Sequence, residues 1–193
     1  MGYPSQIANQ VNKSAACAHL ESADGTAIEA NLECGSVIRM SLSLDNAAGS
    51  VSNARFLSNG CGYMLAAADV LAEYVHGRPL EDLHGLMAEE LRTLVEGKLA
   101  EYPQERRGCL DSCISALRAA FADARQRRIE EFSGEKALVC TCFGVSEETI
   151  ERVVADQHAK TVEDVTRISR AGGGCGACIL LIRDMLATGP DGR

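Results

Sequence analysis

The sequence predicts an α+β protein, with a small antiparallel sheet packed on helices at 1–133 and a small helical domain at 134–193. Three observations carry that expectation. Residues 36–44 alternate strictly, with Ile38, Met40, Leu42 and Leu44 on one face and Arg39, Ser41 and Ser43 on the other. That is the period of a half-buried strand. Residues 62–76 and 109–131 switch to helical period. A polar hinge at 132–136 then separates this part from a short cysteine-rich end. A length of 193 residues accommodates one medium domain and one small one.

The elements follow in order. The first strand, 36–44, runs into a turn at 45–49 that ends on Gly49, and 50–58 forms a second strand that completes an antiparallel hairpin. Met64, Leu65, Ala68, Leu71, Ala72 and Val75 give 62–76 one apolar face, and Gly77 and Pro79 stop that helix. A shorter helix at 87–97 carries Met87, Leu91, Leu94 and Val95 and ends at Gly97. The long helix at 109–131 buries Leu110, Cys113, Ile114, Leu117, Ala120, Phe121 and Ala124. Beyond the hinge, Ser146 caps one helix, with Glu147 and Glu148 in its first turn. Thr161 caps the next, with Asp164 at the capping-box position and Val162, Val165 and Ile168 inward. The last helix runs through Ile179, Leu180, Ile182 and Leu186 to Gly189 and Pro190.

Composition excludes several classes. A net charge of −8 argues against a nucleic-acid partner, which needs a basic face. The run Arg125, Gln126, Arg127, Arg128 falls late in a helix, where the dipole favours cations on a solvated face. No apolar run approaches a membrane span, so no membrane partner is expected. The start of the chain lacks a charged segment followed by an apolar one, so a secretion signal is not expected and the protein is placed in the cytoplasm. Nine cysteines then need a chemical reason. Cytosolic thiols stay reduced and the count is odd, so metal or cluster ligation is favoured over a disulfide framework.

Four of them stand in the tail: Cys140 and Cys142, then, after 32 residues, Cys175 and Cys178. Four thiolates complete the ligand set of either a [2Fe–2S] cluster or a tetrahedral zinc ion. The C-x-C pair favours the cluster, because its ligands sit on extended chain and reach one or two metals. Zinc sites more often use C-x₂₋₄-C on both sides. Gly172, Gly173 and Gly174 precede the second pair, allowing tight turns that expose N–H groups close to sulfur. Both pairs are expected on loops at helix starts, where positive dipole ends face an anionic cluster.

A second set is dispersed. Cys34 precedes Gly35 and the first expected strand, Cys61 lies between Gly60 and Gly62 where strand passes to helix, and Cys109 opens the long helix. Three thiols at element ends can meet at one edge of a small sheet. Three thiolates leave a coordination position open or borrowed, which suits a cluster that is built and handed on. The alternative is that all three pack as small hydrophobes.

These motifs carry a resemblance. N-L-E-C-G-S at 31–36, S-N-G-C-G at 58–62 and E-R-R-G-C at 105–109 resemble the three cysteine motifs of the IscU/NifU-type iron–sulfur scaffold. K-A-L-V-C-T-C-F-G-V at 136–145, T-V-E-D-V-T at 161–166 and A-G-G-G-C-G-A-C at 171–178 are similar to the central [2Fe–2S] domain of NifU, itself similar to bacterioferritin-associated ferredoxin. The resemblance covers nearly the whole chain after about residue 25.

It implies a scaffold and not an enzyme, since the product stays bound until transfer. Cys34, Cys61 and Cys109 would take sulfur from a cysteine desulfurase and hold a transient cluster with iron. Cys140, Cys142, Cys175 and Cys178 would hold a permanent, redox-active [2Fe–2S] cluster. Apo iron–sulfur proteins, an electron donor and a second copy of the chain are the further candidate partners. The chain departs from the family at Ser36, where an Asp is usual, and at Gly108, where a His is usual, which leaves the fourth scaffold ligand unassigned. The third, C-x-x-C-bearing domain of full-length NifU has no counterpart in this sequence, so that carrier function is expected to be missing.

Cys113, one turn after Cys109, is either that fourth ligand or a core thiol, and its place on the apolar stripe favours the core. Cys17 reads as a small apolar residue near a mobile end, and His76, His84 and His158 as residues flanking helix ends. Two other functions remain. One is an electron-transfer protein whose degenerate scaffold domain serves for docking, favoured by Ser36 and Gly108. The other is a zinc-stabilised interaction module, which would be colourless.

Overall fold

The computed structural model describes residues 2–83, 85–100, 102–134 and 136–188. It divides into two compact units. The first takes in residues up to Asp45, then Ser50–Arg78 and Leu86–Ala124, and the second Asn46–Gly49, Pro79–Gly85 and the chain from Arg125 onward.

The first unit is built on a three-stranded antiparallel sheet in the order β1 (Gly25–Ala30), β2 (Val37–Asp45), β3 (Ser50–Ser58). The alternation in the sequence is realised in β2 and β3. Met40 pairs with Phe56 and Leu42 with Ala54, and these side chains, with Ile38 and Val51, are all but fully buried. A register shift follows Ser43. Helix α2 (Gly62–Val75) packs on β3 and is buried on most sides, from Met64 through Ala66, Val70 and Leu71 to Val75. Small alanines let it approach the sheet closely. Helix α3 (Ala88–Leu99) sits against α2, and α4 (Arg107–Glu131) follows one turn of 3₁₀ helix at Gln104–Arg106. The stripe expected on α4 is buried at Leu110, Cys113, Ile114, Leu117, Ala120 and Ala124.

Two elements of this unit were absent from the sequence expectation. The first strand of the sheet is β1, not 36–44. Its one buried residue is Gly25, so it shows no apolar alternation. A Cβ on Gly25 would stand 2.1 Å from the Ala120 carbonyl oxygen of α4, so only glycine allows this approach. Asp123 Oδ2 accepts the Thr26 N–H at 2.8 Å beside it. The other is α1 (Ser5–Lys13), which packs on α2. Its buried apolar residue is Ile7, and its hold is polar. Gln10 Nε2 and Ser14 Oγ donate to the two oxygens of Asp69, a carboxylate only 1 % exposed on α2. Cys17 is exposed rather than an apolar packing residue, and its backbone bridges to Phe56.

The second unit holds a short antiparallel pair, β4 (Leu138–Cys140) and β5 (Val145–Ser146), and the helices α5 (Glu147–Asp156), α6 (Val162–Ser169) and α7 (Ile179–Thr188). Both expected caps are formed. Ser146 Oγ accepts the Thr149 N–H, and Thr161 and Asp164 make a reciprocal capping box. The core joins Ile150, Val165, Ala171 and Ile182 to three thiols, Cys140, Cys142 and Cys178. On α7, Ile182 is buried and Leu180 is 73 % exposed. The expected helix end at Gly189 and Pro190, and His84, lie outside the described residues.

Candidate metal centres

In the first unit, three separate elements deliver one thiol each. Cys34 sits in the β1–β2 loop. Buried Asn31 organises that loop, its Oδ1 accepting the N–H groups of Glu33 (3.0 Å) and Cys34 (3.2 Å). Gly35, at φ +70°, completes the turn. Cys61 is the N-cap residue of α2, and Cys109 lies in the first turn of α4, buried. The fold brings the three together: the Cys109 thiol interacts with those of both Cys61 and Cys34.

Their environments differ. Cys34 is exposed, and the Ser36 hydroxyl, 3.2 Å from its sulfur, stabilises the thiolate first. The Ser36 backbone, Cys109 and the Arg106 charge add to this and hold Cys34 below the ordinary thiol value. Burial, then the neighbouring sulfurs of Cys61 and Cys34, pushes Cys109 up to about 12. The site thus has one exposed thiol of lowered pKa and one protected thiol. Among the described residues, no three His, Cys, Asp or Glu side chains converge tightly enough to hold a single ion as they stand. A metal or cluster would therefore need these side chains to draw closer together than they stand.

Cys113 is fully buried, and its thiol donates to the Met64 carbonyl at 3.5 Å. It belongs to the core, as its place on the stripe suggested. His76 caps the C-terminal end of α2 and His158 follows α5 at positive φ, both exposed. Sequence reasoning missed three tyrosines beside the thiols. Tyr3, Tyr63 and Tyr102 stack edge to face, with centroids 5.3 and 5.7 Å apart, and Tyr3 Oη accepts the N–H of Gly62, the residue after Cys61. A Cβ on Gly62 would stand 2.8 Å from the Tyr3 ring, so the glycine next to Cys61 makes room for it. Spacing offers no signal for such a contact, because 59 residues separate the two.

In the second unit, Cys140 ends β4, Cys142 lies in the turn to β5, Cys175 stands in the Gly-rich loop and Cys178 directly precedes α7. The first pair is therefore on a strand end and hairpin turn, not at a helix start as expected. Only Cys178 meets that expectation, its carbonyl accepting the Ile182 N–H at 2.9 Å. The loops close on one another. The Cys175 N–H donates to Cys142 Sγ at 3.4 Å, and a Cβ on Gly174 would stand 2.7 Å from Cys142 Cβ and 2.9 Å from its sulfur. The Cys142 thiol, then the backbone of Phe143 and Gly172, lowers the Cys140 pKa against the effect of burial. Soft thiolates, backbone N–H donors and a dry surround fit an iron–sulfur cluster. Cys140, Cys142, Cys175 and Cys178 are the residues that would hold it.

Residues 138–188 match the family described as BFD-like [2Fe-2S] binding domain, and residues 3–131 match the family described as NifU-like N terminal domain. The chain belongs to the NifU-like family. The likeness therefore begins well before residue 25 and ahead of the first quoted motif at residue 31. Over 158 residues the NifU-like chain is 29 % identical to the nitrogen fixation protein NifU of Trichormus azollae, covering 81 % of this chain and 51 % of that one. The corresponding protein of Nostoc sp. (strain PCC 7120) gives the same identity and coverage. The chain thus spans about half the length of these curated relatives. The crystal structure of a NifU-like protein (N-terminal) from Brucella abortus superposes with a TM-score of 0.51 at 15 % identity, covering 65 % of this chain and 95 % of that one, which shows the shared fold. The two matched domains support an iron–sulfur cofactor.

Proposed function

We propose that this NifU-like chain is a scaffold for iron–sulfur cluster assembly, not an enzyme, with its functional boundary at 133/134. Cys34, Cys61 and Cys109 receive sulfur from a cysteine desulfurase and hold a transient cluster with iron. Cys140, Cys142, Cys175 and Cys178 hold a permanent, redox-active [2Fe–2S] cluster. Persulfide sulfur must be reduced to become cluster sulfide, so assembly consumes electrons, and the tail cluster relays them from an electron donor. Apo iron–sulfur proteins take the product, and the work is cytoplasmic. Among the described residues no helix is long and apolar enough to cross a membrane.

The observation that carries the reading is the meeting of three thiols from a loop, a helix cap and a helix start, one of them exposed and lowered in pKa. An exposed thiolate is what an incoming persulfide can reach. A four-thiolate set drawn mostly from buried cysteines, such as Cys140, Cys142, Cys175 and Cys178, would hold its metal instead. The test is anaerobic reconstitution with iron and a desulfurase, counting iron and sulfide before and after brief chelation. Two populations, one labile and one resistant, are expected. A single resistant cluster would leave an electron-transfer protein with a docking domain, and zinc without sulfide would overturn both.

A further inference from the structure

Three thiolates leave one position of a four-coordinate metal unfilled, and the chain has Ser36 and Gly108 where its family usually has donors. The structure shows what stands at Gly108. A Cβ built on that residue would lie 3.0 Å from Glu33 Oε2 and 3.1 Å from Asn31 Nδ2. The space that a side chain at 108 would enter is thus taken by a carboxylate and an amide from the facing β1–β2 loop. Glu33 directly precedes Cys34 and its carboxylate lies against Gly108, the residue directly before Cys109.

The neighbouring donors are committed elsewhere. Asn31 Oδ1 accepts two backbone N–H groups, and its Nδ2 carries hydrogens and offers no lone pair. Cys113 donates to the Met64 carbonyl inside the core. The Tyr102 hydroxyl donates to the Tyr63 carbonyl at 3.4 Å. The Ser36 hydroxyl is on Cys34 and is a neutral, weak ligand. Glu33, by contrast, is exposed, and among the described residues its carboxylate accepts no hydrogen bond and joins no ion pair.

We propose that Glu33 is the fourth ligand of the Cys34/Cys61/Cys109 site, its carboxylate taking the position of the missing donors when the β1–β2 loop closes on the metal. The inference rests on the scaffold reading of those three thiols. One loop movement delivers both Cys34 and Glu33, because they are adjacent. An oxygen ligand is harder than thiolate and holds iron less firmly, which suits a cluster that must leave.

Co²⁺ added to the whole 193-residue chain, with its tail cluster in place, provides the probe. Sulfur-to-metal charge-transfer bands count thiolates, d–d bands report geometry, and the spectrum is read as the difference on adding Co²⁺. Glu33→Gln is expected to weaken Co²⁺ binding by about tenfold or more, given that loss of even an outer-sphere partner costs about 10–100-fold. The thiolate bands should persist and the d–d bands shift. The double variant Glu33→Gln/Gly108→His should regain affinity through an imidazole nitrogen. Wild-type affinity and d–d bands in Glu33→Gln would overturn the proposal while leaving the thiolate site standing. Loss that the double variant does not recover would trace the effect to the loop and overturn it also. If replacing Cys34, Cys61 and Cys109 together with Ala leaves the Co²⁺ spectrum unchanged, the three-thiol site itself fails.

Discussion

The Cys113 thiol donates to the main-chain carbonyl of Met64 at 3.5 Å, linking α4 to α2 inside the core and away from solvent. Burial, then the neighbouring Cys109 and Cys61, pushes its pKa upward, so it stays a neutral thiol. Cys113→Ser is expected to destabilise the fold by about 1 kcal/mol. That is the low end of the 1–3 kcal/mol range for a buried hydroxyl, because Met64 can accept the new donor. Labile cluster loading should be unchanged. Denaturant unfolding with iron counting checks both, and an unaltered unfolding curve with lost loading would make Cys113 a ligand.

Gly174 is in contact with Cys142, and any Cβ there enters the space of that sulfur. Gly174→Ala should therefore spread the two tail loops and remove the resistant cluster, with a packing cost of about 1–3 kcal/mol. The visible spectrum and iron content of the variant chain read this directly. Gly173, with its nearest neighbour for a Cβ at 3.3 Å, should tolerate Ala with the cluster retained.

Asp69 anchors α1 through Gln10 and Ser14. Asp69→Ala leaves those donors facing an apolar gap, and the expected loss is about 1–3 kcal/mol. Protection of the α1 amides from hydrogen exchange should fall first, since few apolar contacts hold this helix.

The second-unit capping box gives a pH dependence. The N–H of Lys160, then Arg167 and Thr161, holds the Asp164 carboxyl below its ordinary value. A depressed folded pKa contributes stability that is complete above the unfolded value, about 3.9. That contribution is lost as pH falls through the depressed folded value. Wild type should thus be more stable than Asp164→Asn at neutral pH, and the gap should narrow in acid. A gap that widened as pH fell would contradict the assignment.

The sequence made β2 and β3 legible because Ile38, Met40 and Leu42 must all face one way to be buried, and alternation records that requirement. It left β1 hidden because that strand is held by a glycine against α4 and by Asp123, contacts made only after the chain has folded. The α1 helix was hidden for a similar reason, its anchor being a carboxylate on another helix. The β4–β5 pair spans three and two residues, too short for any period to register. At the candidate site, cysteine spacing exposed the thiols, since thiols clustered beside glycine have few structural uses. It could not expose Glu33, whose interest lies in the Gly108 it faces across 74 intervening positions.

The central claim is that two sets of thiols hold clusters of different lability on one chain. Its most direct measurement is iron and sulfide content after anaerobic reconstitution and brief chelation in two variants. One replaces Cys34, Cys61 and Cys109 with Ala, and the other Cys140, Cys142, Cys175 and Cys178. The account predicts that the first loses the chelatable population and keeps the resistant visible spectrum, while the second does the reverse. Full chelatable loading in the first variant would show that these three cysteines only pack, and would contradict the account.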